Sequence, residues 1–247
     1  MNVLVRIIAV VAVTVPLALI RVDVTVGAQE AQQVERDVRD TLRGERDLRD
    51  IEVSVEGNEV TLAGRVPTFW AKDQAIKRTL EVGGVETVIS ELEIPVVEDD
   101  ADIGEDVGKA VMNYAHYTVF DQIAGRVENG VVWLSGRVTP DRDKAGDIFE
   151  RVAKVRGVQD VQSDIETLPF SQPDMNLRRA IGFRVFSSQH FERFGSMSNP
   201  PFHIIVENSY VTLVGYVQTQ IEMIELERIV AQTQGVIRVD NQLEVLQ

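Results

Sequence analysis

Three times along the chain, alternating apolar and polar residues run up to a turn signal and continue beyond it. Ile51, Val53 and Val55 precede Gly57-Asn58, and Val60, Leu62, Gly64 and Val66 follow it. The second occurrence turns at Asn129-Gly130 and continues through Val132, Leu134, Gly136 and Val138. The third runs through Phe202, Ile204 and Val206 to Asn208-Ser209, then Val211, Leu213, Gly215 and Val217. A period of two predicts strands with one apolar face, and these dipeptides suit two-residue turns whose backbone takes positive φ.

Apolar residues at helical spacing precede each hairpin: Val34, Val38 and Leu42; Ile103, Val107, Val111 and Tyr114; Leu177, Ile181 and Val185. Such spacing predicts amphipathic helices, with Asp102 and Asp174 as N-caps of the second and third. A further helix follows each hairpin, capped by Thr68 in the first copy and Asp141 in the second. Its inner face is expected to carry Ala75, Ile76, Thr79 and Leu80; Ala145, Ile148, Phe149 and Val152; then Met223, Leu226, Ile229 and Val230. Each copy closes with a strand beginning at a Gly-Val pair, Gly84-Val85, Gly157-Val158 or Gly235-Val236.

The predicted fold class is therefore α+β: three tandem small two-layer domains, each helix-strand-strand-helix-strand. A three-stranded sheet carries two helices on one face. The domains span residues 34–96, 102–168 and 174–247, separated by Pro95 with the acidic run Glu98 to Asp102, and by Pro169 and Pro173. Modules this small bury thin cores, so the copies are expected to pack against one another. Gly64, Gly136 and Gly215 lie on the inner sheet face, opposite Ile51, Ile123 and Phe202 if the turns have two residues. A large side chain is expected to cover each glycine, which makes these positions structural.

Arg6 precedes an uncharged run from Ile7 to Ile20, and Val26, Gly27 and Ala28 supply small residues for cleavage. Residues 1–28 are accordingly expected to be a secretory signal, with an uncleaved anchor as the lesser alternative. The location expected is the periplasm or cell envelope. The chain has no cysteine, which excludes disulfides, thiol catalysis and anchoring through a lipidated cysteine. With 25 basic and 39 acidic residues the net charge is −14, which disfavours nucleic acid as a partner.

Catalytic chemistry finds no motif. His116, His190 and His203 do not form a metal-binding spacing, and no nucleophile elbow is present. The acidic run Glu98 to Asp102 lacks the ligand alternation and central glycine of a calcium loop and reads as a solvated linker. The chain is thus expected not to be an enzyme, with no catalytic residue, metal or cofactor, and no motif identifies a small-molecule substrate.

The strings Val60 to Val66, Val132 to Val138 and Val211 to Val217, with the distal pairs that include Gly84, Gly157 and Gly235, resemble the BON domain, the bacterial OsmY and nodulation family. The resemblance covers nearly all of the chain after residue 28. It implies an exported, non-enzymatic envelope protein that associates with membrane phospholipid and serves osmotic or envelope stress tolerance. Many members have two copies and some are anchored through a cysteine; this chain has three copies and none.

The third copy differs from the others. Five of the nine phenylalanines fall between Phe183 and Phe202. Phe183 and Phe186 are expected to complete the inner face of the helix. Phe191, Phe194 and Met197 then form either an exposed apolar patch or a cap on the end of the sheet. The copies carry net charges of −5, −4 and −2 in order, so lipid contact is expected in the third, through Phe191, Phe194 and Met197 with Arg178, Arg179 and Arg193. The alternative reading is a soluble periplasmic adaptor or holdase-like protein that binds other envelope proteins.

Overall fold

The computed structural model describes residues 18–197 and 199–246. Most of the expected secretory signal lies outside them, while Val26, Gly27 and Ala28 fall inside the first helix, α1 (Ala18–Arg43). Among the described residues no helix is long and apolar enough to cross a membrane. The elements that follow α1 are β1 (Glu52–Glu56), β2 (Glu59–Arg65), α2 (Phe69–Leu80) and β3 (Thr87–Glu93). The second module contains α3 (Asp100–Met112), β4 (Gln122–Glu128), β5 (Val131–Val138), α4 (Lys144–Ala153) and β6 (Asp160–Thr167). The third contains α5 (Gln172–Phe186), β7 (Phe202–Glu207), β8 (Tyr210–Val217), α6 (Gln220–Ala231) and β9 (Arg238–Val245).

Three three-stranded sheets result, each with the second strand of the hairpin at its centre. The hairpins are antiparallel, and β6 and β9 join β5 and β8 in parallel. Asn129, Gly130, Asn208 and Ser209 all take positive φ, whereas in the first turn Gly57 does so without Asn58. Burial follows the alternation: Val60, Leu62, Val132, Leu134, Val211 and Leu213 are all at most 2% exposed. The closing strands begin two to three residues after their Gly-Val pairs. Gly84, Gly157 and Gly235 instead sit at the third position of β-turns, closed by bonds such as Val158 N to Val155 O, with positive φ at each glycine.

Gly136 pairs with Ile123 and Gly215 with Phe202, as the two-residue turns require. What covers these glycines is backbone. A Cβ on Gly136 would stand 2.0 Å from the Gln122 carbonyl oxygen, and one on Gly215 would stand 2.4 Å from that of Pro201. Both glycines have positive φ, so conformation and space each exclude a side chain.

The helix caps depart from expectation at three places. Asp99, not Asp102, caps α3 by accepting from Ala101 N, and Ser171, not Asp174, caps α5. Asp143 replaces Asp141 at the start of α4, whereas Thr68 does cap α2 by accepting from Ala71 N. The displaced carboxylate Asp174 is buried and accepts from Asn208 N and Ser209 N at 2.8 and 2.9 Å, tying α5 to the hairpin turn. Asp100 does the same for Asn129 N and Gly130 N in the second module. The acidic run is therefore not a free linker: Glu98 pairs with Arg156, Asp99 caps, and Asp100 holds the turn.

The chain forms two compact units, one of residues up to Gly64 with Ala75–Leu92, the other of Arg65–Gln74 with Glu93 onward. In the first unit, Val38, Leu42, Val60, Leu62 and Ala75 are buried, while Leu80 faces solvent. Within the second unit the second and third modules pack together. Ile204 N donates to Val119 O at 2.7 Å, Arg137 pairs with Glu207, and Val119 is buried in the core of the third module.

Candidate functional site

The aromatic insertion of the third module folds inward. After α5 the chain turns at Ser188, whose carbonyl accepts from Phe191 N and Glu192 N, and a single 3-10 turn spans Glu192–Phe194. Phe191 is 0% and Phe194 5% exposed. Their rings meet Phe202 edge-on at centroid distances of 5.6 and 5.3 Å, the arrangement favoured by aromatic quadrupoles. The exposed-patch expectation is corrected: the two phenylalanines cap the sheet and belong to the core. Their polar neighbours Gln189, Glu192, Arg193 and Ser196 are exposed, so the segment is amphipathic and its polarity does not extend to the two rings.

Arg193 lies over the Phe194 ring, 4.2 Å from its centroid, and donates to His190 O and, at 2.7 Å, to Glu222 Oε1. Thr219 caps α6 by accepting from Glu222 N, and the Glu222 carboxylate accepts from Gln218 N, the residue before the cap. Arg178 is buried and donates its Nη2 to Val206 O at 2.6 Å. Burial lowers its pKa, opposed by the fields of Asp174, Asp121 and Asp141. Its place in the wall between α5 and β7 removes it from any surface role. Met197, Arg179 and Arg193 are the expected contact residues that reach solvent.

Phe183, expected inside, is 76% exposed. At about 100° per residue, Phe183 stands two residues from both Ile181 and Val185, hence on the opposite side of α5. Arg179 is exposed one turn earlier on the same face. Ile221 and Ile224 of α6 are also exposed. The spacing of buried Leu177, Ile181 and Val185 contained this placement, and the cluster of phenylalanines obscured it.

A buried polar cluster escaped sequence reasoning altogether. Asp121 is 0% and Lys144 1% exposed, with Lys144 Nζ donating to Asp121 Oδ2 at 2.8 Å and to Thr139 Oγ1 at 2.7 Å. Asp121 further accepts from Thr118 N and Oγ1 and from Thr139 N and Oγ1. Burial acts to raise the pKa of Asp141, but hydrogen bonds from Thr139 and Lys144 and the lysine charge hold it below the ordinary value. Tyr117 donates nothing to this carboxylate; its oxygen accepts from Ile123 N, and burial pushes its pKa up to about 12. Every charge in the cluster is paired, so it fixes the loop between α3 and β4 and leaves no free acid or base. Among the described residues no group of side chains is arranged to hold a metal ion.

The BON domain matches the chain at residues 30–95, 99–169 and 188–247. The chain belongs to the BON domain family. It contains three tandem BON modules, and the third match begins after α5, although α5 packs on that module's sheet. BON modules are non-catalytic binding modules of a family associated with the envelope and osmotic stress, whose members bind phospholipid membranes. No curated protein matches the chain. Similar solved structures include two of CdsD, a structural protein of the type III secretion system of Chlamydia trachomatis, one of them of its C-terminal domain. Each is 12% identical with a TM-score of 0.25; they cover 86% and 87% of this chain and 96% and 92% of theirs.

Proposed function

We propose that the chain is an exported, non-enzymatic envelope protein whose BON modules associate with membrane phospholipid in osmotic or envelope stress. The observation that carries this reading is the threefold family match spanning nearly the whole chain after residue 28. The uncharged run from Ile7 to Ile20 behind Arg6, followed by the small residues Gly27 and Ala28, supports export. With Phe191 and Phe194 in the core, lipid contact falls to the outer face of α5, where Arg179 and the exposed ring of Phe183 lie one turn apart. A basic residue beside an anionic surface contributes about 1 kcal/mol, and an exposed aromatic ring adds apolar burial near the headgroups. The third module, least acidic of the three, suffers least repulsion.

Co-sedimentation of residues 29–247 with vesicles of defined anionic lipid content tests this. Binding is expected to weaken with salt and to drop several-fold in a Phe183→Ser, Arg179→Glu variant, the loss of roughly 1–2 kcal/mol. Retained binding in that variant refutes the α5 face; no binding by the parent chain refutes lipid association and favours a protein partner. The same exposed residues, Phe183, Ile221 and Ile224, favour that second reading of a soluble adaptor, which cross-linking in intact cells addresses.

A further inference from the structure

In the first and third modules an arginine of the leading helix spans to the edge strand of the hairpin. Arg39 of α1 donates to Val53 O at 3.2 Å, and Arg178 of α5 donates to Val206 O at 2.6 Å. Aligning the buried residues Val38, Val107 and Ile181 gives the second module Gly108 where the first has Arg39. Gly104 stands where the third has Arg178, and the β4 residue corresponding to Val53 and Ile204 is Gly125. None of these three glycines has positive φ, and two of them weaken a helix interior. Backbone conformation does not require them. A Cβ on Gly108 would meet nothing within 4 Å, and those on Gly104 and Gly125 would meet only ordinary contacts at 3.8 and 3.4 Å.

Their combined effect is a cavity of about 360 Å³ between α3 and β4, walled by Val107, Val111 and Leu134 among others. That volume lies within the roughly 300–1,000 Å³ of small-molecule sites. Asn199 and His203, from the strand side of the third module, also line it, and their Oδ1 and Nδ1 atoms are buried without a hydrogen-bond partner. Of the His203 ring nitrogens it is Nδ1 that is buried without a partner, and a neutral ring protonated on Nε2 offers it as an acceptor. Burial lowers the pKa of His203 and keeps the ring neutral. The Asp100 carboxylate, whose two oxygens accept from Asn129 N and Gly130 N, adds negative charge to the wall, while the other charged lining group, Arg126, is taken up by Glu128 and the Trp133 ring. Two unpaired acceptors and a carboxylate around an apolar space call for a cationic donor with several hydrogens.

We propose that this cavity binds a small apolar molecule bearing a primary amine, its body against Gly104, Gly108 and Gly125 and its ammonium donating to Asn199 Oδ1 and His203 Nδ1. Titrating the 15N-labelled protein with 2-phenylethylamine is expected to shift the amides of Gly104, Gly108 and Gly125 saturably. The matched anion 3-phenylpropionate should bind about tenfold more weakly or worse, the scale of losing one charged hydrogen bond. Gly125→Val, which restores the first module's residue, should abolish the shifts at the other two glycines while keeping the folded spectrum; Gly108→Leu fills the same space from the helix and should do likewise. Absence of saturable shifts in the parent chain, equal binding of the carboxylate, or unchanged affinity in either folded variant overturns the assignment.

Discussion

The second and third modules solve one problem with opposite polarity. In both, the segment between the first helix and the hairpin must be fixed to the start of the second helix. The second module does it with an anion on the loop, Asp121, and a cation on the helix, Lys144; the third uses Arg193 on the loop and Glu222 on the helix. A glutamate in a helix's first turn suits the helix dipole, whereas a lysine there opposes it. The less favourable arrangement is the one that is sealed from water: Asp121 and Lys144 are at most 1% exposed, against 40% for the Arg193 side chain. Burial, rather than the sign of the charges, should decide which pair the fold depends on.

The largest effect is therefore expected at Asp121 and Lys144. Lys144→Met leaves a buried carboxylate without its cation, a loss of about 3–5 kcal/mol. Asp121→Ala also strands the Thr118 and Thr139 backbone N–H groups and should cost at least as much. Urea unfolding followed by amide exchange in the second module reads both; a loss below that of the exposed pair would end the comparison. Arg193→Ala should cost only about 0.5–1 kcal/mol, because a half-exposed pair is screened by solvent and Glu222 keeps its capping bonds. A loss as large as that of Lys144→Met would show that Arg193 holds the aromatic insertion shut.

The smallest expected effect is a pH dependence at the boundary between the two modules. His203 has its pKa lowered, chiefly by burial. A neutral buried histidine contributes stability in full above its ordinary value of about 6.5, and loses it as pH falls toward the folded-state value, because the unfolded chain takes the proton first. The urea midpoint of the wild-type protein should fall further between about pH 7.5 and 5.5 than that of His203→Gln. Parallel behaviour would mean that His203 does not sense the interface.

Hairpins, helices and the order of elements were legible because period-two and period-3.6 patterns report burial directly, as at Val132 and Leu134 or Leu177 and Ile181. Caps were less legible. Asp99, Asp100 and Asp102, like Asp141 and Asp143, offer neighbouring carboxylates, and which one caps depends on where the backbone leaves the helical region. The hairpin register was readable, but the approach of Gln122 and Pro201 carbonyls to Gly136 and Gly215 was not, since pairing rules say nothing of backbone crowding. Lys144 was invisible for a different reason: its partner lies 23 residues upstream, in a loop with no periodicity. Phe191 and Phe194 mislead because the polarity of their neighbours in sequence suggests exposure, whereas their environment is made by Phe202 beyond the insertion.

The hydrogen bond from Ile204 N to Val119 O has a consequence in time. Each module's sheet and helices are built from contacts local to about 70 residues, which favours rapid, sequential folding of a chain that emerges N-terminus first. The second module cannot finish alone: Val119 and Tyr117 meet their final neighbours only when β7 arrives. Until then the loop that carries Asp121 is held from one side, so a chain stalled after β6 should display an incompletely closed second module. The pause makes the last third of the chain the step that locks the middle third.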